Sequence, residues 1–422
     1  MKARRSDVSD SSVAAAAAVP GGRHGINLGW WGLIAVCAGL LFWRKPWALH
    51  TPQLWAEDGS IFLVQNEQMG VSAWWEPYNG YLHLLPRLIA WIASHVADVA
   101  WWPAIYNGLA FTINVALFAR LASPRVELPR KAGLMLAFVF VVGTGEVLIN
   151  VTNLQWVTAF FFLLQLFTRP AESVGQRVGD LVLLGIVGLN GPFPIVFWPL
   201  FVWHAWRARN ADAWGALSVV TLCAVAQGWF LAGTALNLES ATEPFRPLMF
   251  FSVIGSRFVT WPFLGPQAVG ALPIWVHAVL AIGVLGSLLG WALRRDETRR
   301  PVRAMLVAAF LLVTGACVFR VRADTWIEDT LVNGDRYFYI SRVLVAWLLI
   351  LEFDARPKAI AWIARGLCGV ALVMHLPHFS IPALEDYKWA EHCDPIRRGV
   401  PANIHTLPEG WWIEYPGRQD AR

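Results

Sequence analysis

Eleven apolar runs, joined for the most part by short basic loops, constrain this chain more than any other feature. They cover residues 28–47, 101–121, 132–150, 153–168, 180–190, 193–206, 213–233, 273–293, 302–320, 337–353 and 359–376. A helix of about 20 apolar residues crosses a bilayer core, and fewer suffice where the bilayer thins or the helix breaks. Only 15% of the residues are charged, against roughly a quarter in soluble domains, so most of the surface does not face water. The 25 tryptophans cluster where runs end, for example at Trp30, Trp31, Trp43, Trp47, Trp101 and Trp102, where an indole buries its ring and still hydrogen-bonds at headgroup level. The expected fold class is all-α, a polytopic membrane protein with about eleven transmembrane helices.

Charge sets the expected topology. The net charge is +5, but the basic residues sit in short clusters between apolar runs, which orients a membrane protein and argues against nucleic acid as a partner. The doubtful segment is 81–97, apolar enough to tempt a span. If it does not cross, Arg120/Arg125/Arg130/Lys131, Arg169/Arg177, Arg207/Arg209, the arginines from Arg294 to Arg303, and Arg356/Lys358 all share a side with Lys2, Arg4, Arg5 and Arg23. If it crosses, every later cluster moves to the other side. We therefore expect 81–97 to lie on the outer surface as an amphipathic juxtamembrane helix, with Leu82, Leu85, Ile89 and Ile92 on one face.

Three divisions follow: a disordered cytoplasmic tail (1–26), a transmembrane region (27–376) with a first external loop at 48–100, and an external C-terminal tail (377–422). The first run exceeds a signal-peptide core of about 7–15 residues and no small-residue cleavage site follows it, so it reads as an uncleaved span. The tail has too few apolar residues for a core of its own, and its Tyr387, Trp389, Trp411, Trp412 and Tyr415 predict that it folds back over the outer face. The remaining external regions are about 233–271 and 320–336. The Asn190-Gly191-Pro192-Phe193-Pro194 stretch cannot continue a helix and predicts a break that protein or a water-filled cavity must cover. The five cysteines are scattered and show neither a disulfide framework nor metal-ligand spacing.

The residues suited to chemistry gather outside. Glu57-Asp58 follow the first run within Trp55-Ala56-Glu57-Asp58-Gly59. They read either as an acidic turn capping the next helix or as a general base and a metal ligand. Neighbouring side chains on a helix diverge by roughly 100°, so the two acids would have different tasks. Tyr78, Asn79, His83 and Arg87 offer hydrogen bonds suited to a sugar or phosphate, or else form a turn and interfacial anchors. Asn153 and Gln155, in an outer turn, are cleft-facing amides or helix caps. Arg336 and Tyr337, at the mouth of a run, are a phosphate ligand with an aromatic neighbour, or an anchor to lipid headgroups. Arg246 and Arg257 are weaker phosphate candidates. His375 and His378 flank Pro377, which disfavours a shared metal.

A first span, an acidic pair, an aromatic-rich loop, an amphipathic stretch with proline and then the next span together resemble the GT-C glycosyltransferases. The resemblance implies a glycosyltransferase of the bacterial inner membrane, with its N-terminus cytoplasmic and its C-terminus periplasmic. It would move a sugar from a polyprenyl-phosphate donor to a cell-envelope glycan or lipid acceptor. It implies Asp58 as general base or metal ligand with Glu57 as partner, Arg336 or Arg87 on the leaving phosphate, and a divalent cation (Mg or Mn) as the one cofactor to consider. Two rival expectations are a flippase or other transporter using the 190–194 break, and a non-catalytic assembly partner. Transporters tend to keep ionisable residues within their spans, and few are visible there.

Overall fold

The apolar runs become helices whose ends are set by local capping. The computed structural model describes residues 26–234, 244–294, 299–320 and 334–418; nearly all of the expected disordered N-terminal tail lies outside them. In chain order the longer helices are α1 (Leu28–Arg44), α2 (Leu84–Val96), α3 (Trp102–Ala122), α4 (Lys131–Phe140), α5 (Leu154–Gln165), α6 (Val174–Gly188), α7 (Phe193–Ala208) and α8 (Ala211–Gly233). They continue as α9 (Pro247–Leu264), α10 (Ile274–Leu293), α11 (Arg300–Arg320), α12 (Tyr339–Leu351) and α13 (Lys358–His375). The Asn27 side chain caps α1 by accepting from the Trp30 N–H, and Ser173 and Asn210 do the same for α6 and α8.

Six described segments are long and apolar enough to cross a membrane: Val99–Ala122, Ala211–Gly233, Pro247–Leu264, Ile274–Leu293, Arg300–Arg320 and Lys358–His378. Their outward faces carry exposed Leu222, Trp229, Ile282, Trp362 and Val373, an apolar surface unsuited to water. The chain is a mostly helical, multi-pass membrane protein. Helices α5 and α12 form the centre, with Phe160, Phe162, Val343 and Leu344 fully buried.

The basic clusters converge at one end of the bundle. Asp180 binds Arg120 at 3.1 Å and Arg125 at 2.7 Å. Asp354 binds Arg130 and Arg299, and Glu352 binds Arg294 and Arg303. The other end holds the loop between α1 and α3, the α6–α7 break, and the tail. Helix α2 stays there: its first residues bond to the break through Leu84 N–H to Leu189 O, 2.9 Å. Its buried face is Pro86, Arg87, Ile89, Ala90 and Ala93, one step around from the expected Leu82, Leu85, Ile89 and Ile92.

One expectation needs correction, and one region expected outside the spans holds a long apolar helix. The run at 132–150 is helical only to Phe140, and residues 141–153 form an irregular segment rather than a span. Gly143 and Gly145 punctuate it, and Glu146 within it makes an ion pair. The region 233–271 contains α9, which meets the length and apolarity of a span. Both ends of α9 nevertheless lie at the same end of the bundle. Phe250 meets Phe319 at the end of α11, and the Pro262 carbonyl bonds to His375 at the end of α13. The tail folds onto the first loop, with β1 (Ala402–Thr406) and β2 (Trp411–Tyr415) forming an antiparallel hairpin. Thr406 donates to the Leu54 carbonyl at 2.7 Å, and Trp389 to the Val99 carbonyl at 2.8 Å.

Candidate functional site

The irregular 141–153 segment organises the site because it binds both the first loop and the Asp335–Arg336 turn. Near its end, Asp58 is fully buried and receives the Thr152 N–H at 2.7 Å and the Thr152 hydroxyl at 2.6 Å on one oxygen. The other oxygen receives the N–H groups of Val151 (3.3 Å) and Trp55 (3.4 Å). In its middle, Glu146 pairs with Arg336. Near its start, Thr144 donates its N–H to Asp335 at 2.8 Å. Lys45, at the end of α1, ties it down further by donating to the Leu148 carbonyl at 2.7 Å.

These contacts enclose a cavity of about 120 Å³, lined among others by Glu57, Tyr78, Asn79, Tyr81, His83, Asn153, Gln155, Arg336 and Tyr337. Eight residues singled out from four separate stretches of sequence thus share one wall: Glu57, Tyr78, Asn79, His83, Asn153, Gln155, Arg336 and Tyr337. Two do not. Asp58 turns away from the cavity into its cage of donors. Arg87 packs over the Phe62 ring at 5.4 Å, buried, with none of its nitrogens hydrogen-bonded among the described residues. Residues not anticipated also line the cavity: Trp55, Glu146, Thr152, Trp156, Pro408 and Trp411. An acid inside an apolar run was the available signal for Glu146. Nothing in the spacing pointed to Pro408.

The electrostatics separate the two adjacent acids. Burial pushes Asp58 up to about 6, although its donors pull the other way. Glu57 accepts a hydrogen bond from the Tyr78 hydroxyl at 3.0 Å and keeps an edge on the cavity. His83 sits among the rings of Phe62, Tyr78 and Tyr81. Burial, reinforced by Arg87, brings it down to about 3, so it is neutral, with the Tyr78 backbone as a polar neighbour. A neutral imidazole, both donor and acceptor, suits a hydroxyl-rich ligand. Arg336 is fixed by Glu146 and lies 5.0 Å from the centre of the Tyr337 ring.

The donor set fits a divalent cation poorly. Both Asp58 oxygens are taken by N–H and O–H donors, and Glu146 is neutralised by Arg336. That leaves Glu57, among the described residues, as the one carboxylate in the cavity wall without a cationic partner, where Mg²⁺ or Mn²⁺ is usually held by one or two carboxylates together with substrate phosphates. Among the described residues, no three His, Cys, Asp or Glu side chains cluster to hold a metal.

A second cavity of about 440 Å³ lies between α4, α12 and α13. Leu136, Phe140, Ala346, Leu349 and Leu372 line it, and Arg342 and His375 stand at its site end. Arg342 donates to the Val142 carbonyl at 2.6 Å and, like Arg257, pairs with Asp335. Arg342 lines the apolar cavity and Arg336 the polar one, and Asp335, the neighbour of Arg336, pairs with Arg342 between them. No family model, curated protein or solved structure matches the chain.

Proposed function

We propose that the chain is a membrane glycosyltransferase of GT-C type, moving a sugar from a polyprenyl-phosphate carrier to a cell-envelope glycan or lipid acceptor. The observation that carries this reading is the shared wall of the polar cavity: a carboxylate without a cationic partner, a clamped arginine, a neutral histidine and several amides. The adjoining apolar cavity supports it, since an isoprenoid tail needs such a groove and its phosphate needs cations at the groove's end.

In this reading Glu57 is the general base and Asp58 the positioning residue. An acceptor hydroxyl attacks the anomeric carbon and passes its proton to Glu57. The bond from that carbon to the carrier phosphate breaks, and Arg336 stabilises the charge gathering on the departing phosphate. Tyr78 orients the Glu57 carboxylate. His83, Asn79, Asn153 and Gln155 hold sugar hydroxyls. No step requires a metal ion. Helices α1, α3, α5 to α8 and α10 to α13, with α4 and the irregular segment after it as one more, make eleven crossings, while α2 stays on the outer side and α9 enters from that side, packs Phe258 against Phe310 of α11 and returns to it. The convergence of basic loops at one end favours a cytoplasmic N-terminus and a periplasmic C-terminus in a bacterial inner membrane.

The transporter alternative has one observation in its favour, the α6–α7 break. That break is closed, however, by Gly191 N–H to Leu82 O and by the Gln227 side chain, which bonds to both Leu82 and Gly188.

The deciding experiment supplies the purified protein in lipid with labelled polyprenyl-phosphate sugars and envelope glycans. Wild type transfers label, and Glu57→Gln loses at least about a hundredfold, the scale of general-base catalysis, with an unchanged melting temperature. Equal transfer by Glu57→Gln removes the base assignment, and no transfer with any donor removes the transferase reading.

A further inference from the structure

On the tail hairpin the exposed rings of His405 and Trp412 lie side by side, and the half-buried Tyr387 extends the row. Tyr387 stacks on His405 with centroids 5.2 Å apart and planes at 19°, and His405 contacts Trp412 across the two strands. Trp412 is 44% exposed and its neighbour Trp411 lines the cavity. Asn403 and Glu414, paired in register, stand exposed on the same hairpin face as His405 and Trp412. The opposite face is fixed in place: Ile404 and Ile413 are buried, Ile413 packs against Gly59, and Arg418 binds Glu67 at 3.2 Å. Rings normally bury themselves, so His405 and Trp412, rigidly mounted and left open to solvent, call for a partner.

We infer that this row is a docking strip for a neutral oligosaccharide whose end enters the polar cavity through the Pro408–Trp411 rim. Sugar rings lay their C–H faces on aromatic rings while amides and carboxylates receive their hydroxyls, and the hairpin supplies both. Trp411, the sequence neighbour of Trp412, lines the cavity and sets the direction of the chain. Charge excludes an anionic membrane surface as the occupant: among the described residues Glu385, Asp386, Glu409 and Glu414 border the strip, against the single cation Lys388. Glu385 and Glu409 are close enough to Tyr387 to act on its hydroxyl. The inference rests on the glycosyltransferase reading only in calling the oligosaccharide an acceptor, and it makes that acceptor a glycan chain rather than a lone lipid.

The test titrates the full-length protein in neutral lipid discs with two-residue and six-residue oligosaccharides of neutral hexoses and pentoses, followed by calorimetry. At least one hexamer binds about tenfold tighter than its dimer, a gain of about 1.4 kcal/mol. Trp412→Ala and His405→Ala each remove most of that gain without changing the melting temperature. Hexamers binding no better than dimers, no hexamer binding at all, or a length gain that survives both substitutions overturns the strip. Transfer lost in Glu57→Gln with no length gain in wild type sinks the strip alone. A length gain alongside normal transfer by Glu57→Gln sinks the base assignment and keeps the strip.

Discussion

Glu57 and Asp58 are adjacent, yet their surroundings differ completely. Asp58 receives donors on both oxygens, so its role is to hold Thr152 and the 141–153 segment against the first loop. Asp58→Asn turns an amide N–H toward donors that previously met an oxygen. We expect a stability loss of about 1–3 kcal/mol, the cost of a buried donor left unsatisfied, read as a lower melting temperature in detergent. Any loss of transfer should then follow the loss of folded protein, unlike in Glu57→Gln. The sequence marked the pair but could not say which acid faces the cavity, because that depends on Asp58–Leu63 winding as a π-type turn. His83 makes a pH prediction. Its folded value, about 3, lies below the unfolded 6.5, so the unfolded chain binds the proton more readily. The stability tied to neutral His83 is complete above pH 6.5 and is lost as pH falls toward 3. His83→Phe keeps a ring among its aromatic neighbours and removes the titration. Its melting temperature should fall less steeply than that of wild type across this window, and an identical pH profile would refute the assignment.

At the scale of elements, the irregular 141–153 segment matters most, and it was the least legible. Its composition is that of a span, and an apolar run alone cannot tell a helix from buried irregular backbone. Two glycines and an acid close together were the clue. Gly145 has φ +80°, and a side-chain carbon added there would collide with Ile381 of the tail. Gly145→Ala combines left-handed strain with overpacking and should cost about 1–3 kcal/mol. Because Glu146 is the next residue, transfer should fall further than stability does, as Arg336 loses its clamp. Normal transfer by folded Gly145→Ala would mean that Glu146 does not position Arg336. The α6–α7 break, by contrast, was readable from its prolines, and its exposed backbone is met by residues 82–84 as burial requires.

For the whole molecule, loop charge conveyed more than hydropathy. It kept α2 at one end of the bundle, where contacts between α2 and the break hold it. Hydropathy alone would make α9 a span, whereas its contacts with Phe319 and His375 keep both its ends together. Single cysteines at Glu172→Cys and Asp386→Cys, both exposed, should be labelled by an impermeant maleimide from opposite faces of the membrane. Pro244→Cys and Gly270→Cys, exposed positions on either side of α9, should both label from the Asp386 face. Labelling of those two from different faces would make α9 a crossing and reverse the sidedness proposed for everything after it.

Pro408 and Trp411 complete the cavity, yet they follow every membrane helix in chain order. In the proposed orientation they reach the outer face only after α13 has been inserted and the tail exported behind it. Until then the first loop, synthesised long before, presents an open and unfinished wall. The protein therefore passes through biogenesis with its polar cavity open, and a chain stalled or clipped before residue 400 would be inserted in the membrane with that wall missing.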